Sequence, residues 1–169
     1  MTGDRSDDPP FPQAPEIERR IRIPRWRAIG VLVILAVPAM ALAGVFGESW
    51  DRAAATGPNV AVQVEFPTRY RYKMLNSINT SITNRSARPI DTITVRLDSS
   101  YALRFSTVVF TPAAERAYEV PLTDVAPGET RLVVIEIQGE RYGRHRGRMH
   151  IQSTNGDTLA IPISTVIFP

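Results

Sequence analysis

The pattern of apolar and polar positions changes twice along this chain, and each change predicts a different kind of structure. Residues 1–27 place few apolar side chains among Asp, Arg and Pro. Residues 28–47 (AIGVLVILAVPAMALAGVFG) carry no charge at all. From about residue 59 onward apolar and polar residues alternate in short runs separated by turn formers. An uncharged run of about 20 residues, at 1.5 Å per helical residue, matches a hydrocarbon core of roughly 30 Å, so 28–47 is predicted to be a transmembrane helix. Period-two alternation predicts strands with one buried face.

The strands can be placed individually. Val60, Val62, Val64 and Phe66 share one parity, and Pro67 is expected to end that run. Tyr72, Met74, Ile78 and Ile82 share a parity in the next, followed by the turn-rich NRSARP and then Ile93, Val95 and Leu97. Residues 101–111 read as a fourth, bulged strand, and Tyr118, Val120 and Leu122 mark a fifth. Pro127-Gly128 signals a turn before the β-branched run 132–138. Residues 149–153 and 158–168 form a hairpin around Asn155-Gly156, the preferred chemistry of a tight β turn. The prediction is an all-β, immunoglobulin-like antiparallel β-sandwich of about seven or eight strands over residues 59–169, reached through a linker at 48–58.

The flanks of the apolar run give it a direction. Arg19, Arg20, Arg22, Arg25 and Arg27 precede it, whereas Glu48, Asp51 and the single Arg52 follow it. The excess of arginine places the N-terminus in the cytoplasm and the β domain outside, with the bilayer as the first partner. Trp26 and Trp50 stand just beyond the two ends, where indole rings favour the lipid–water boundary. A cleavable signal peptide is the rival reading, since Ala41-Leu42-Ala43 before Gly44 has the small-residue form of a cleavage site; the long stretch before the apolar run argues for anchoring. Within the run, Ala39, Ala43 and Gly47 recur every fourth residue, a candidate helix-packing row. Residues 1–27, acidic and Pro-rich over 1–15 and basic after that, are expected to be a disordered cytoplasmic tail.

Composition narrows the chemistry. The chain has no cysteine, which excludes disulfides, thiolate metal sites and cysteine nucleophiles. The two histidines, His145 and His150, are surrounded by Arg144, Arg146 and Arg148, whose charge opposes a bound cation, so neither a metal nor any other cofactor is expected. No nucleophile motif accompanies them, and an enzyme is not expected. Asp124 and Glu129 flank a turn, where local capping is the plain explanation. Asn79-Thr80-Ser81 and Asn84-Arg85-Ser86 are formal glycosylation sequons. The one concentrated charge feature is Arg141, Tyr142, Arg144, His145, Arg146 and Arg148, a predicted basic loop. Guanidinium forks in that loop suit an acidic protein loop, an anionic glycan or a lipid head group. Nucleic acid is excluded by the extracytoplasmic placement. The alternative is a solvated loop whose arginines pair with neighbours such as Glu136 and Glu140.

The order of these motifs resembles the bacterial immunoglobulin-like (CARDB-like) accessory domains. The segment LTDVAPGET (122–130) looks like their proline–glycine element before a β-branched strand, and YGRHRG (142–147) is similar to their Gly-rich lead into the final hairpin. The resemblance covers about 110 residues and implies a spacer, interaction module or accessory domain of a membrane assembly. The function expected from it is non-enzymatic binding of another membrane or envelope protein; the alternative is an anion-binding module using the 141–148 segment.

Overall fold

The structure, a computed structural model, describes residues 25–42, 44 and 47–169. The chain divides into two units between Met40 and Ala41. Of the predicted disordered tail 1–27, residues 1–24 lie outside the described residues, and 25–27 are helical instead, forming the first turn of the helix described next.

The first unit is built on one helix, α1 (Arg25–Leu42), with Pro38 inside it. Its large apolar side chains from Ile29 to Met40 are all exposed. With 18 residues it is about 27 Å long, and its first turn begins with Arg25-Trp26-Arg27. Among the described residues no helix is long and apolar enough to cross a membrane. The predicted span 28–47 therefore extends past the helix that forms. Gly44, at φ 74°, donates from its N–H to Ala41 O (3.0 Å) and accepts from Gly47 N (2.9 Å), a turn rather than a further helical residue. This corrects the Ala39/Ala43/Gly47 row. Ala39 is on α1, Gly47 is beyond its end, and Ala43 is outside the described residues, so the three do not share a helix face.

The second unit is all-β. Its elements are β1 (Ser49–Thr56), β2 (Val60–Arg71), β3 (Leu75–Asn84), β4 (Ile90–Leu97), the one-turn helix α2 (Ser99–Ala102), β5 (Phe105–Thr111), β6 (Glu119–Val125), β7 (Thr130–Gly139), β8 (Gly143–Ser153) and β9 (Thr158–Phe168). They join in the order β5-β7-β3-β2-β9-β8-β4-β6, with β1 on β2. Every pairing is antiparallel except that of β2 with β9. Alternation decides the buried face of each strand: Val60, Val62 and Val64 of β2, Ile78 and Ile82 of β3, Ile93 and Val95 of β4, Ile135 and Ile137 of β7, Met149 and Ile151 of β8, and Ile161 and Ile163 of β9 all belong to one core. The sheet folds over on itself so that these faces meet.

Four local expectations are overturned. Residues 48–58, read as a linker, contain β1, whose Ala53 and Ala55 stand opposite Val64 and Val62 and pack on the core. The small side chains gave no alternation signal; pairing with β2 makes the strand. Pro67 does not end β2. β3 pairs with β2 over Val60–Glu65 and β9 pairs with it over Arg69–Arg71, so Pro67, which stands opposite Trp50 of β1, lies where one of these partners gives way to the other. The expected strand 101–111 starts only at Phe105, because the Asp98 carbonyl accepts from the N–H groups of Tyr101 (3.1 Å) and Ala102 (2.9 Å) and closes α2. Met74, expected inside, is 49% exposed: a turn with Lys73 at φ 60° separates β2 from β3 and breaks the parity.

Two buried tyrosines have opposite hydrogen-bonding fates. Tyr101 Oη donates to Thr165 Oγ1 (2.8 Å), which donates to Pro67 O (2.8 Å) and so ties α2 and β9 to the bend in β2. Tyr70 Oη is buried without a partner. Burial pushes the Tyr101 phenol up to about 12, against the lowering effect of its bond to Thr165, and burial together with Tyr101 pushes Tyr70 up as well. A phenol whose folded pKa is raised contributes stability that is intact below its unfolded value of 10.0 and is lost as pH rises through the folded value. Stability in urea is therefore expected to fall between pH 10 and about 12, and to fall less in Tyr70→Phe/Tyr101→Phe; parallel pH curves would reject this account. At neutral pH Tyr70→Phe is expected to be neutral or stabilising by about 1 kcal/mol, while Tyr101→Phe costs about 1 kcal/mol.

Candidate functional site

The predicted basic loop is mostly strand. β8 begins at Gly143 and pairs with β9 from Gly143↔Ile167 to Gln152↔Thr158 without interruption. The hairpin closes through Asn155-Gly156, with Gly156 at φ 93°, and Asp157 fastens it by accepting from Asn59 N at 3.2 Å. Strand periodicity then separates residues that the sequence presents as one run. Arg144, Arg146 and Arg148 point to the outer face about 6.7 Å apart, opposite Val166, Ser164 and Pro162. Gly147 and Met149 take the other parity, against Tyr101 and in the core.

The three arginines line a groove of about 660 Å³. Its other wall comes from distant parts of the chain: Asp51 on β1, Phe66 and Thr68 on β2, and Asp98 before α2. Ser164 lies on its floor, and its Oγ is buried with no hydrogen-bond partner. Thr68 Oγ1 is engaged with Ser49, 2.7 Å from its Oγ. Among the described residues no carboxylate lies within 4.0 Å of the guanidinium of Arg144, Arg146 or Arg148; the ion pairs are Arg52–Glu65, Arg96–Glu119 and Arg131–Glu129. The alternative pairing with Glu136 or Glu140 is not among them, and the three forks keep their donors for water or a ligand.

Arg141, Tyr142 and His145 are not part of this groove. Tyr142 packs on Tyr72 with ring centroids 4.6 Å apart. His145 Nε2 donates to Arg141 O at 2.7 Å, and its ring meets the Phe105 ring at 6.2 Å. His145 and His150 have opposite parity on β8 and so face opposite sides of the sheet, which prevents them from sharing a ligand. Among the described residues no three His, Asp or Glu side chains gather as metal ligands. Glu129 accepts from Ala126 N (2.8 Å) and pairs with Arg131 (2.7 Å), a local turn cap. The groove residues that sequence reasoning missed are Asp51, Phe66, Thr68, Asp98 and Ser164. The sequence alone reads the arginines as a loop; their alternate spacing is the signal that could have shown their common face.

No protein-family model and no curated protein matches the sequence. Solved structures with some likeness include WR4, a C. elegans MSP family member (10% identity, 60% of this chain and 93% of that one, TM-score 0.37), and the GAE domain of GGA2p from Saccharomyces cerevisiae (12%, 70% and 98%, 0.36). A beta-glucosidase from Listeria innocua in complex with gluconolactone is similar over 73% of this chain but only 16% of its own length, at 12% identity and TM-score 0.34. Superpositions this loose carry no argument about shared fold or activity.

Proposed function

We propose that this chain is a membrane-tethered, non-enzymatic accessory module: a cytoplasmic tail, a helical anchor and an extracytoplasmic immunoglobulin-like β-sandwich that binds another membrane or envelope protein. One observation carries the reading. Every large apolar side chain from Ile29 to Met40 of α1 is exposed, on all sides of the helix. A helix apolar all round needs an apolar surround, and water is not one. The uncharged sequence continues past α1 to Gly47, and the arginines that precede it favour a cytoplasmic N-terminus. Washing membranes of the native host at alkaline pH and weighing the retained protein tests the anchor. A full-length mass of 18.8 kDa in the washed membrane is expected. A soluble product beginning near Gly44 would replace the anchor with a cleaved signal.

A second reading, a module holding an anionic lipid head group or glycan, is favoured by the groove, where three arginines without ion-pair partners face an open cleft.

A further inference from the structure

We propose that the groove binds a phosphodiester whose organic substituent carries hydroxyl or ammonium donors, with Arg144, Arg146 and Arg148 on the phosphate oxygens. The inference deepens the anion-binding reading and rests on it; it does not require α1 to lie in a bilayer.

The donor inventory selects the ligand class. Each guanidinium offers five N–H donors in a rigid fork, and one fork already satisfies the two oxygens of a carboxylate. Three forks on one strand face carry more donors than the two oxygens of a single planar carboxylate accept, whereas a phosphodiester adds two weakly accepting ester oxygens to its two charged ones in a tetrahedral array. The same groove contains Asp51 and Asp98. Carboxylates are acceptors only, so they repel a bare dianion and accept from donors on the ligand's organic part. That combination disfavours inorganic phosphate and favours a singly charged phosphodiester with polar hydrogens next to it. Pro162 and Val166 supply apolar lining for its carbon atoms, and about 660 Å³ falls in the ordinary range for small-molecule sites. The phosphodiester has two sources, the head group of a membrane phospholipid or a soluble glycerophosphodiester.

Calorimetric titration of the full chain in a neutral detergent tests the assignment. The probes are glycerophosphoglycerol, short-chain dihexanoylphosphatidylglycerol, inorganic phosphate, and citrate as a carboxylate control. Saturable binding of the two phosphodiesters, tighter than that of phosphate or citrate, is expected. Arg144→Gln/Arg146→Gln/Arg148→Gln should weaken it at least tenfold, with circular dichroism unchanged. Removing the same charge at exposed Arg85, Arg88 and Arg104, outside the groove, should change it less than twofold. Binding of the lipid alone assigns the membrane source, and binding of both diesters assigns the shared head group; each supports the site. Absence of binding, citrate binding as tightly as the diesters, or equal weakening by the control triple overturns it. The membrane-wash result is independent of all of these, so failure of the groove and failure of the anchor are distinguishable.

Discussion

Asn84→Ala is expected to lower the stability of the β unit by about 3 to 4 kcal/mol, which moves Tm down by more than about 10 °C for a domain of this size. Asn84 ends β3 with no exposed surface, and its amide joins three segments. Nδ2 donates to Arg88 O and Val125 O, both at 2.9 Å, and Oδ1 accepts from Ser86 N at 2.8 Å. Alanine leaves the Val125 carbonyl buried without a donor and opens a small cavity, and an unsatisfied buried polar group costs about 1–3 kcal/mol by itself. Asn84→Asp keeps the size but sets a carboxylate oxygen against those carbonyls, so at neutral pH it should be at least as damaging. Its deficit relative to the parent should narrow on acidification, when the protonated carboxyl donates again. Urea titrations of both variants decide the matter, and an alanine variant within 1 kcal/mol of the parent would show that water replaces the amide. The same geometry removes Asn84 as a glycan acceptor in the folded domain, since both its amide hydrogens are committed.

Gly147→Ala is expected to cost about 2–3 kcal/mol by overpacking. A Cβ at this position overlaps Tyr101 Cβ and comes within 2.7 Å of Tyr101 Cγ and 3.0 Å of Cδ2. Those atoms sit close to the Tyr101 backbone in α2 and are 1% exposed, with the ring tethered to Thr165, so the neighbour has no room to give. Gly139→Ala is the comparison. Its Cβ meets Ile167 Cδ1 at 2.6 Å, Tyr70 Oη at 3.0 Å and Ile167 Cγ1 at 3.2 Å, all side-chain atoms away from the backbone, so its cost should be smaller than at Gly147. Equal costs at the two sites would show that backbone entropy, not the Tyr101 contact, governs both.

Much of the strand structure was legible. Val60, Val62, Val64 and Phe66, and Ile93, Val95 and Leu97, point inward as their spacing predicts, and the 158–168 strand and its Asn155-Gly156 turn are where local chemistry places them. These signals are local: a period of two and a residue that tolerates positive φ act within a few positions. Illegible elements depend on distant partners. Ser49–Thr56 is alanine-rich and becomes a strand only because β2 offers it an edge, and Pro67 is tolerated inside a strand only because β3 and β9 exchange places there.

The candidate site divides in the same way. Arg144, Arg146 and Arg148 were recognisable as a basic run, and their alternation by itself determined that they share one face once they form a strand. That Tyr142 and His145 leave the site, that Asp51, Phe66, Thr68 and Asp98 enter it, and that Ser164 stands in it without a partner were decided by tertiary structure. A strand's side-chain direction is a property of its own backbone, whereas a groove exists only where segments far apart in the chain are brought edge to edge, and no spacing within one segment encodes which others will face it.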